Sequence, residues 1–292
     1  MYPPKFNYYR AGSVDEALAL LQEHQGAKLL AGGHSLLPLM KLRLADPGTL
    51  IDIGRIDELK GITTQNGRVR IGALTPHVEV ERSDAVPWAL SQAASGIGDP
   101  MVRNRGTVGG NLAHADPASD LPTVFLALDA TMHITGPYSS GNGNASTRTV
   151  PANDFFTGFY ATALEEGEIL TAVEVAREQA GTGSAYAKLA NPASRYAMIG
   201  AAAVITLEGG VCTQASVAIG GLTPHATKAH SVEAALVGQT WSDDTIDAAA
   251  AAVDNDLVEQ VLGDIHASAE YRRQILPTFV GRAIRAAGSR AG

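Results

Sequence analysis

The stretch AGGHSLLPLMKLRLADPG (residues 31–48) places two glycines, a histidine and a serine directly after the apolar run of Leu29, Leu30 and Ala31. An apolar segment that carries Lys41 and Arg43 follows. Glycine adopts backbone angles that other residues avoid, and it lacks the Cβ atom that keeps neighbours at a distance. The pattern therefore indicates either a plain turn before a helix or a backbone that another group approaches very closely.

A second stretch, TVGGN (residues 107–111), repeats this design with a glycine pair beside a hydroxyl and an amide residue. Successive backbone N–H groups in such a loop form a concave site for anions. The hydroxyls of Ser35 and Thr107 and the amide of Asn111 could add hydrogen bonds. Two such loops would suit a diphosphate, whereas two simple turns are the alternative in a chain with 31 glycines.

Neither loop is a standard nucleotide-binding motif. The sequence contains no G-x-x-x-x-G-K-[ST] pattern, which argues against a P-loop. No G-x-G-x-x-G pattern opens a helix after a strand, so a Rossmann site is not supported. If a dinucleotide binds, it therefore binds in another fold.

Metal and nucleophile chemistry are not favoured. His34 and His114 could join Asp116 and Asp120 in a metal site, but the sequence has no H-x-x-x-H or H-E-x-x-H pairing. Ser35 does not stand in a G-x-S-x-G turn, which argues against a catalytic triad with His34. We therefore predict no metal site and no catalytic residue in this chain.

The charged residues around the second glycine pair have two interpretations each. A carboxylate at Asp116 or Asp120 could cap a helix that starts near Leu121, or it could accept hydrogen bonds from ligand hydroxyls. Arg103 and Arg105 are either solvated loop charges or complements to a phosphate or a partner surface.

Composition excludes several classes of protein. The 292 residues carry a formal net charge of −8, which argues against a bulk electrostatic partnership with nucleic acid or anionic membranes. No apolar run approaches the roughly 20 residues of a membrane span, and the N-terminus lacks the apolar core of a signal peptide. The single cysteine, Cys212, cannot form an internal disulfide or a four-cysteine iron–sulfur site. We expect a cytoplasmic protein.

Local patterns predict an α+β fold. The run Ser13–Glu16 has a capping-box pattern and starts a helix, and short strands are expected at residues 28–31, 49–53 and 69–73. Residues 95–122 are rich in glycine, proline and aspartate and are predicted to be mostly loop. Residues 136–147 are small and polar, and they are expected to form an exposed hairpin tip or a mobile loop without chemistry.

A second unit is predicted to follow a polar linker at residues 177–184. There, Gly209 and Gly210 join two strands in a hairpin, and Ser242 caps an alanine-rich helix. The C-terminal residues 269–287 have a helical pattern that Pro277 should break or kink.

Three stretches together resemble a known family: AGGHSLLPLMKLRLADP, DPMVRNRGTVGGNLAHADPASDLP and, near the C-terminus, ASAEYRRQIL. They are similar to the FAD-binding medium subunit of molybdenum hydroxylases, and most similar to the medium subunit of aerobic carbon monoxide dehydrogenases. The resemblance covers nearly the whole chain. It implies a vanillyl-alcohol-oxidase-type (PCMH-type) FAD-binding domain at residues 1–177, with subdomains at about 1–57 and 58–177. A C-terminal flavoprotein domain with a small antiparallel sheet would occupy residues 178–292.

The resemblance also implies a set of FAD-binding positions. FAD would lie between the subdomains, noncovalently bound, with its pyrophosphate against the two glycine loops. The implied contacts are Leu30, Ala31, Gly32, Gly33, His34, Ser35, Leu36, Ile97, Thr107, Val108, Gly109, Gly110, Asn111, Asp120, Leu170 and Lys188. Lys188 would lie near the flavin ring, where we hypothesise that its charge favours the reduced, anionic flavin.

By this resemblance the chain is an electron-transfer oxidoreductase subunit. An iron–sulfur small subunit and a molybdenum large subunit would be its partners, in a dimer of heterotrimers that could associate with the inner face of the membrane. The substrate and the electron acceptor stay open. Two alternatives remain: a self-contained FAD-dependent oxidase or dehydrogenase of the same fold, and a non-enzymatic assembly module.

Overall fold

Four β-sheets organise residues 1–138 and 145–292, the part of the chain that the computed structural model describes. The first sheet is parallel and joins β1 (Asn7–Arg10), β3 (Thr49–Asp52) and β2 (Lys28–Leu30) in that order. The second is antiparallel, in the order β4 (Ile62–Gln65), β5 (Arg68–Gly72), β10 (Ile169–Ala176), β6 (Thr131–Tyr138) and β7 (Ala145–Pro151). The third, also antiparallel, consists of β11 (Thr182–Ala190), β12 (Ala197–Glu208), β13 (Val211–Gly220) and β14 (Thr227–Lys228). A short pair is formed by β8 (Phe156–Gly158) and β9 (Ala161–Thr162).

Helices fill the space between and outside these sheets. They are α1 (Val14–Glu23), α2 (Leu36–Lys41), α3 (His77–Arg82), α4 (Trp88–Ser95), α5 (Pro100–Arg103), α6 (Val108–His114), α7 (Asp120–Ala127), α8 (Ala152–Phe155), α9 (His230–Leu236), α10 (Asp243–Ala251) and α11 (Ala269–Ala291). Two short 3₁₀ turns cover Asp57–Leu59 and Ala252–Asp256.

The first helix confirms its sequence prediction. The Ser13 hydroxyl accepts a hydrogen bond from the Glu16 N–H at 3.1 Å, as a helix cap should. The Glu16 carboxylate accepts from the N–H of Gly12 at 2.7 Å, one residue before the capping position. The strands predicted near residues 28, 49 and 69 are also present.

The prediction of a long loop at residues 95–122 is wrong, because three helices begin there. Asp99 caps α5 with its side chain, and Pro100 takes the first helical position, which suits a residue without an N–H. The Thr107 side chain caps α6 by accepting from the N–H of Gly110. All three helices are short, and two of them, α5 and α6, have a side-chain cap, so proline and glycine stand at helix starts here rather than in a loop.

The third sheet is buried on both faces. Along β12, Ala201, Ala203 and Ile205 point into the core that the C-terminal helices form, whereas Ala202 belongs to the core around α4 and α7. The side chains alternate in this way because successive residues of a strand point to opposite faces. The alanines of β12 are small, so helices can pack closely on both faces of the sheet. Because the sheet contributes to both cores, the division of the chain near residue 177 stays a prediction.

The C-terminal region follows its sequence pattern with one exception. Gly209 and Gly210 both have positive φ, +58° and +78°, as the predicted two-residue turn requires. Helix α11 runs through Pro277 without ending, so the helix is not broken there, and the kink that the sequence also allows stays a prediction. Buried residues on both sides of the proline, Leu276 and Val280, hold the two halves of the helix in one core.

The predicted hairpin tip at residues 136–147 lies partly outside the residues that the structure describes. Its flanking strands β6 and β7 pair in antiparallel register, and residues 139–144 lie outside the described residues. None of the helices within the described ranges combines the length and the apolar character that crossing a bilayer requires.

Candidate functional site

A large cavity of about 1240 Å³ lies between the first sheet with helix α2 and the segment that carries α5, α6 and the start of α7. Its volume exceeds the roughly 300–1,000 Å³ of ordinary small-molecule pockets, so it suits a long ligand. Fourteen of the sixteen predicted site residues line it: Leu30, Ala31, Gly32, Gly33, His34, Ser35, Leu36, Ile97, Thr107, Gly109, Gly110, Asn111, Asp120 and Leu170. The other two do not line the cavity: Val108 is fully buried, and Lys188 donates a hydrogen bond to Asp120, which does line it.

The first glycine pair brings two backbone segments together. A Cβ atom on Gly32 would lie 2.0 Å from the carbonyl oxygen of Arg105, so only glycine fits there. A Cβ atom on Gly110 would lie 3.8 Å from that of Ala31. The group that approaches the backbone at Gly32 is therefore the chain itself, and this contact joins the two glycine segments into one wall.

Residues 32–35 present free hydrogen-bond donors to the cavity. Gly33 has a φ of +74°, in the left-handed region that glycine tolerates. Within the described part of the chain, the four consecutive N–H groups of residues 32–35 donate to no protein acceptor. All four residues line the cavity. Consecutive free amides of this kind can bind an anion, so the geometry is compatible with the anion site that the sequence predicts for this segment.

The second glycine pair does not form an equivalent site, and that prediction is wrong. The N–H groups of Val108 and Gly109 donate to the carbonyls of Thr75 and Ala73 at 3.0 and 2.7 Å. The N–H of Gly110 is taken by the capping Thr107 hydroxyl. A Cβ atom on Gly109 would lie 2.4 Å from that of Ala73, so this glycine serves close packing.

Asp120 is the buried carboxylate of the cavity, with only 4% of its surface exposed. Its Oδ1 accepts from the Tyr186 hydroxyl at 2.7 Å, and its Oδ2 accepts from the Lys188 ammonium at 2.9 Å. Burial raises the pKa of the Asp120 carboxyl, while Lys188 and Tyr186 act to lower it. Asp120 is the first residue of α7 but does not cap the helix, so its side chain is available to the cavity.

The Lys188 ammonium donates hydrogen bonds to two residues that come much earlier in the sequence. Besides Asp120, its Nζ donates to the carbonyl of Gly96 at 3.1 Å. Arg103 donates to the next carbonyl, that of Ile97, at 3.1 Å and pairs with Glu81 at 2.8 Å. These bonds fix the loop that carries Ile97 into the cavity. The interpretation of Arg103 as a solvated loop charge is therefore wrong, whereas Arg105 is exposed.

The histidines and Asp116 do not assemble a metal site. Across residues 1–138 and 145–292, no group of three or more His, Cys, Asp or Glu side chains is arranged to hold a metal ion. Asp116 accepts from the N–H of Ala118 at 2.9 Å, a local turn rather than a helix cap. His114 packs against the Tyr160 ring with 5.1 Å between centroids, and its burial lowers its pKa.

His77 is a cavity residue that the sequence did not identify. Its backbone N–H donates to the Gly106 carbonyl at 3.0 Å, and its ring lies against Gly106. The side chain is 3% exposed, and its Nδ1 has no hydrogen-bond partner among the described residues. Burial, with a smaller contribution from nearby His34, lowers the pKa of His77 to about 4.

This burial predicts acid sensitivity. As pH falls from 6.5 towards 4, the unfolded chain takes up a proton at His77 and the folded chain does not, so the free energy of unfolding decreases. The full effect is about 3 kcal/mol. Urea unfolding of wild type and His77→Phe at pH 7 and pH 4.5 should show a smaller pH dependence in the variant. An equal dependence in both would contradict the assignment.

Comparison with known proteins identifies the family. The FAD binding domain in molybdopterin dehydrogenase matches residues 4–177, and the CO dehydrogenase flavoprotein C-terminal domain matches residues 184–287. The chain belongs to the FAD-binding medium subunits of the molybdenum hydroxylase family. It is 40% identical to the carbon monoxide dehydrogenase medium chain of Hydrogenophaga pseudoflava, over 99% of each chain.

Other members of the family are similar along the whole length. The alpha subunit of the 6-hydroxypseudooxynicotine dehydrogenase complex of Paenarthrobacter nicotinovorans is 37% identical, over 100% of this chain and 97% of that protein. A solved structure of carbon monoxide dehydrogenase from Hydrogenophaga pseudoflava, which lacks the Mo-pyranopterin moiety, matches with a TM-score of 0.93 and 42% identity over 100% of both chains. The predicted fold class is confirmed.

Family membership also confirms the predicted cofactor and enzyme class. FAD is the cofactor of these medium subunits, and the chain is an oxidoreductase subunit. The individual contacts to FAD stay predictions. Tyr186 was missed at the sequence level, although it stands two residues before Lys188 and therefore on the same face of a strand.

Proposed function

We propose that the cavity holds FAD noncovalently, with the pyrophosphate on the free amides of residues 32–35. The observation that carries this proposal is a row of four residues that line the cavity and whose N–H groups have no protein acceptor within the described part of the chain. Backbone donors bind phosphate oxygens well, because hydrogen bonds to a charged acceptor are about twice as strong as neutral ones. The apposed segment around Gly110 supplies a flat wall against which the cofactor lies.

The opposite part of the cavity suits the polar hydroxyls and the flat ring of the cofactor. Asp120 accepts hydrogen bonds from Tyr186 and Lys188, and it can accept further ones from cofactor hydroxyls. Ile97 and Leu170 offer apolar surface to the ring. When bound, FAD supplies redox chemistry that stores two electrons and exchanges them singly, and the protein supplies binding, orientation and electrostatics.

The proposed activity is electron transfer inside a complex. The chain would accept electrons from a [2Fe–2S] small subunit and pass them to an external acceptor, while a molybdenum large subunit oxidises the substrate. Two observations support this division. The relatives are named as the medium chain of a dehydrogenase or as one subunit of a dehydrogenase complex. The single cysteine of this chain, Cys212, is buried and cannot supply a four-cysteine cluster.

The substrate of the complex is proposed to be selected outside this chain. Relatives named for carbon monoxide and for 6-hydroxypseudooxynicotine are 40% and 37% identical to it over nearly their whole length. Such similar medium subunits serve complexes with very different substrates. We place the complex, a dimer of heterotrimers, in the cytoplasm, where it could associate with the inner face of the membrane.

Purification from the native source tests this proposal. We expect one FAD per copy of the chain, together with subunits that contain molybdenum and iron, and no substrate turnover by the chain alone. Turnover of a small organic substrate by the isolated chain would instead favour a self-contained oxidase or dehydrogenase. A flavin-free chain that purifies alone would favour an assembly module.

A further inference from the structure

Tyr186 reaches the cavity carboxylate from the neighbouring sheet. It lies on β11 with only 5% of its surface exposed, and its hydroxyl donates to Asp120 at 2.7 Å. Lys188 projects from the same face of that strand and donates to the other oxygen of Asp120. Two donors from one strand therefore hold a carboxylate that belongs to α7, 66 residues earlier in the chain.

The backbone around Tyr186 is built to keep the hydroxyl in place. The N–H of Tyr186 donates to the Gln92 side chain on α4 at 3.0 Å. On the adjacent strand, a Cβ atom on Gly200 would lie 2.5 Å from the Tyr186 hydroxyl oxygen. Glycine at this position of β12 leaves the space that the hydroxyl occupies. A buried polar network in which each partner is satisfied fixes one arrangement.

We propose that Tyr186 is a positioning residue of the cofactor site, which holds Asp120 ionised and turned towards the cavity, and that Gly200 provides room for its hydroxyl. The inference rests on the FAD site proposed above. Tyr186 itself does not line the cavity, so it acts on the cofactor through Asp120.

The consequence is a pH effect that packing alone would not produce. The titratable groups that face Asp120 are Lys188 and Tyr186 on β11, together with Tyr196. Removing the Tyr186 hydroxyl takes away one of the two contributions that lower the pKa of Asp120. The carboxyl then binds a proton at higher pH and loses an acceptor for the cofactor.

The test is FAD affinity as a function of pH. The chain, purified with the subunits that accompany it, is stripped of flavin and titrated with FAD between pH 5 and pH 9. We expect Tyr186→Phe to raise the dissociation constant about tenfold near pH 7 and to move the acid limb of the profile to higher pH. Tyr8→Phe removes the hydroxyl from a Tyr–Asp pair at Asp52, outside the cavity, and should reproduce the wild-type profile.

Gly200→Ala crowds the Tyr186 hydroxyl without removing it, so this variant keeps the inference testable if Tyr186→Phe folds poorly. Gly200→Ala should weaken FAD binding in wild type but much less in the Tyr186→Phe background, where no hydroxyl is left to displace. Additive effects, or a Tyr186→Phe profile with an unshifted acid limb, would overturn the inference. A wild-type protein that binds no FAD at any pH would instead overturn the proposed function.

Discussion

Gly33→Val is expected to give a folded chain that purifies without FAD. Gly33 has a φ of +74°, and valine is branched at Cβ and strongly disfavours that region. A Cβ atom there would also lie 2.9 Å from a methyl carbon of Leu37. Relief of this strain rotates the backbone of residues 32–35 and turns their N–H groups out of the proposed pyrophosphate site.

Two control variants separate the cofactor effect from backbone strain. Gly67 has nearly the same φ, +73°, but lies in a turn outside the cavity with no atom within 4 Å of its Cβ position. Gly67→Val should destabilise the chain by a similar amount, about 1–2 kcal/mol, and keep its FAD. His34→Ala should weaken FAD binding far less than Gly33→Val, since the one hydrogen bond of the His34 side chain among the described residues is to the Gly32 carbonyl, at 3.3 Å. Full flavin content in Gly33→Val, measured by absorbance, would contradict the assignment.

Lys188→Met is expected to destabilise the folded chain by about 3–5 kcal/mol, because it leaves the Asp120 carboxylate buried without its counter-ion. The two side chains are 2.8 Å apart and only 10% and 5% exposed. The Gly96 carbonyl also loses its donor. Urea unfolding at pH 7 measures the effect.

A second substitution shows whether the ion pair causes the loss. Asp120→Asn in the Lys188→Met background removes the uncompensated charge, so part of the lost stability should return. Wild-type stability in Lys188→Met would show that the pair is unimportant. The same variant tests the hypothesis that Lys188 favours the reduced flavin, since an unchanged flavin potential in Lys188→Met would contradict it. The pairing with Asp120 predicts a smaller shift than a free ammonium would give.

The elements that the sequence predicted well are those specified by local interactions. Ser13 and Ser242 cap their helices through bonds to residues three positions away, and the glycine pair at 209–210 sets its own turn. Residues 95–122 were predicted wrongly, since their glycines and prolines were interpreted as loop signals. Gly109 lies in helix α6, and the residue is glycine because Ala73, 36 positions earlier, leaves no room for a Cβ atom.

The cavity was also predicted only in part, because local sequence patterns specify some of its residues and tertiary packing specifies the others. Residues 32–35 have the free backbone amides that their own sequence indicates, and the anion site itself stays a prediction. The contact between Gly32 and Arg105, and the pair of Asp120 with Lys188, depend on tertiary packing that local patterns do not report. Lys188 was reached only through resemblance to the family, and Tyr186 and His77 were missed because an isolated tyrosine or histidine carries no local signal.

The most direct measurement of the central claim compares ligands that share parts of FAD. The flavin-free complex is titrated with FAD, ADP and riboflavin at one pH and low salt. If the amides of residues 32–35 hold the pyrophosphate, ADP competes with FAD, and riboflavin, which lacks phosphate, binds at least about 100-fold more weakly than FAD. Riboflavin that binds as tightly as FAD, with no competition by ADP, would contradict the account.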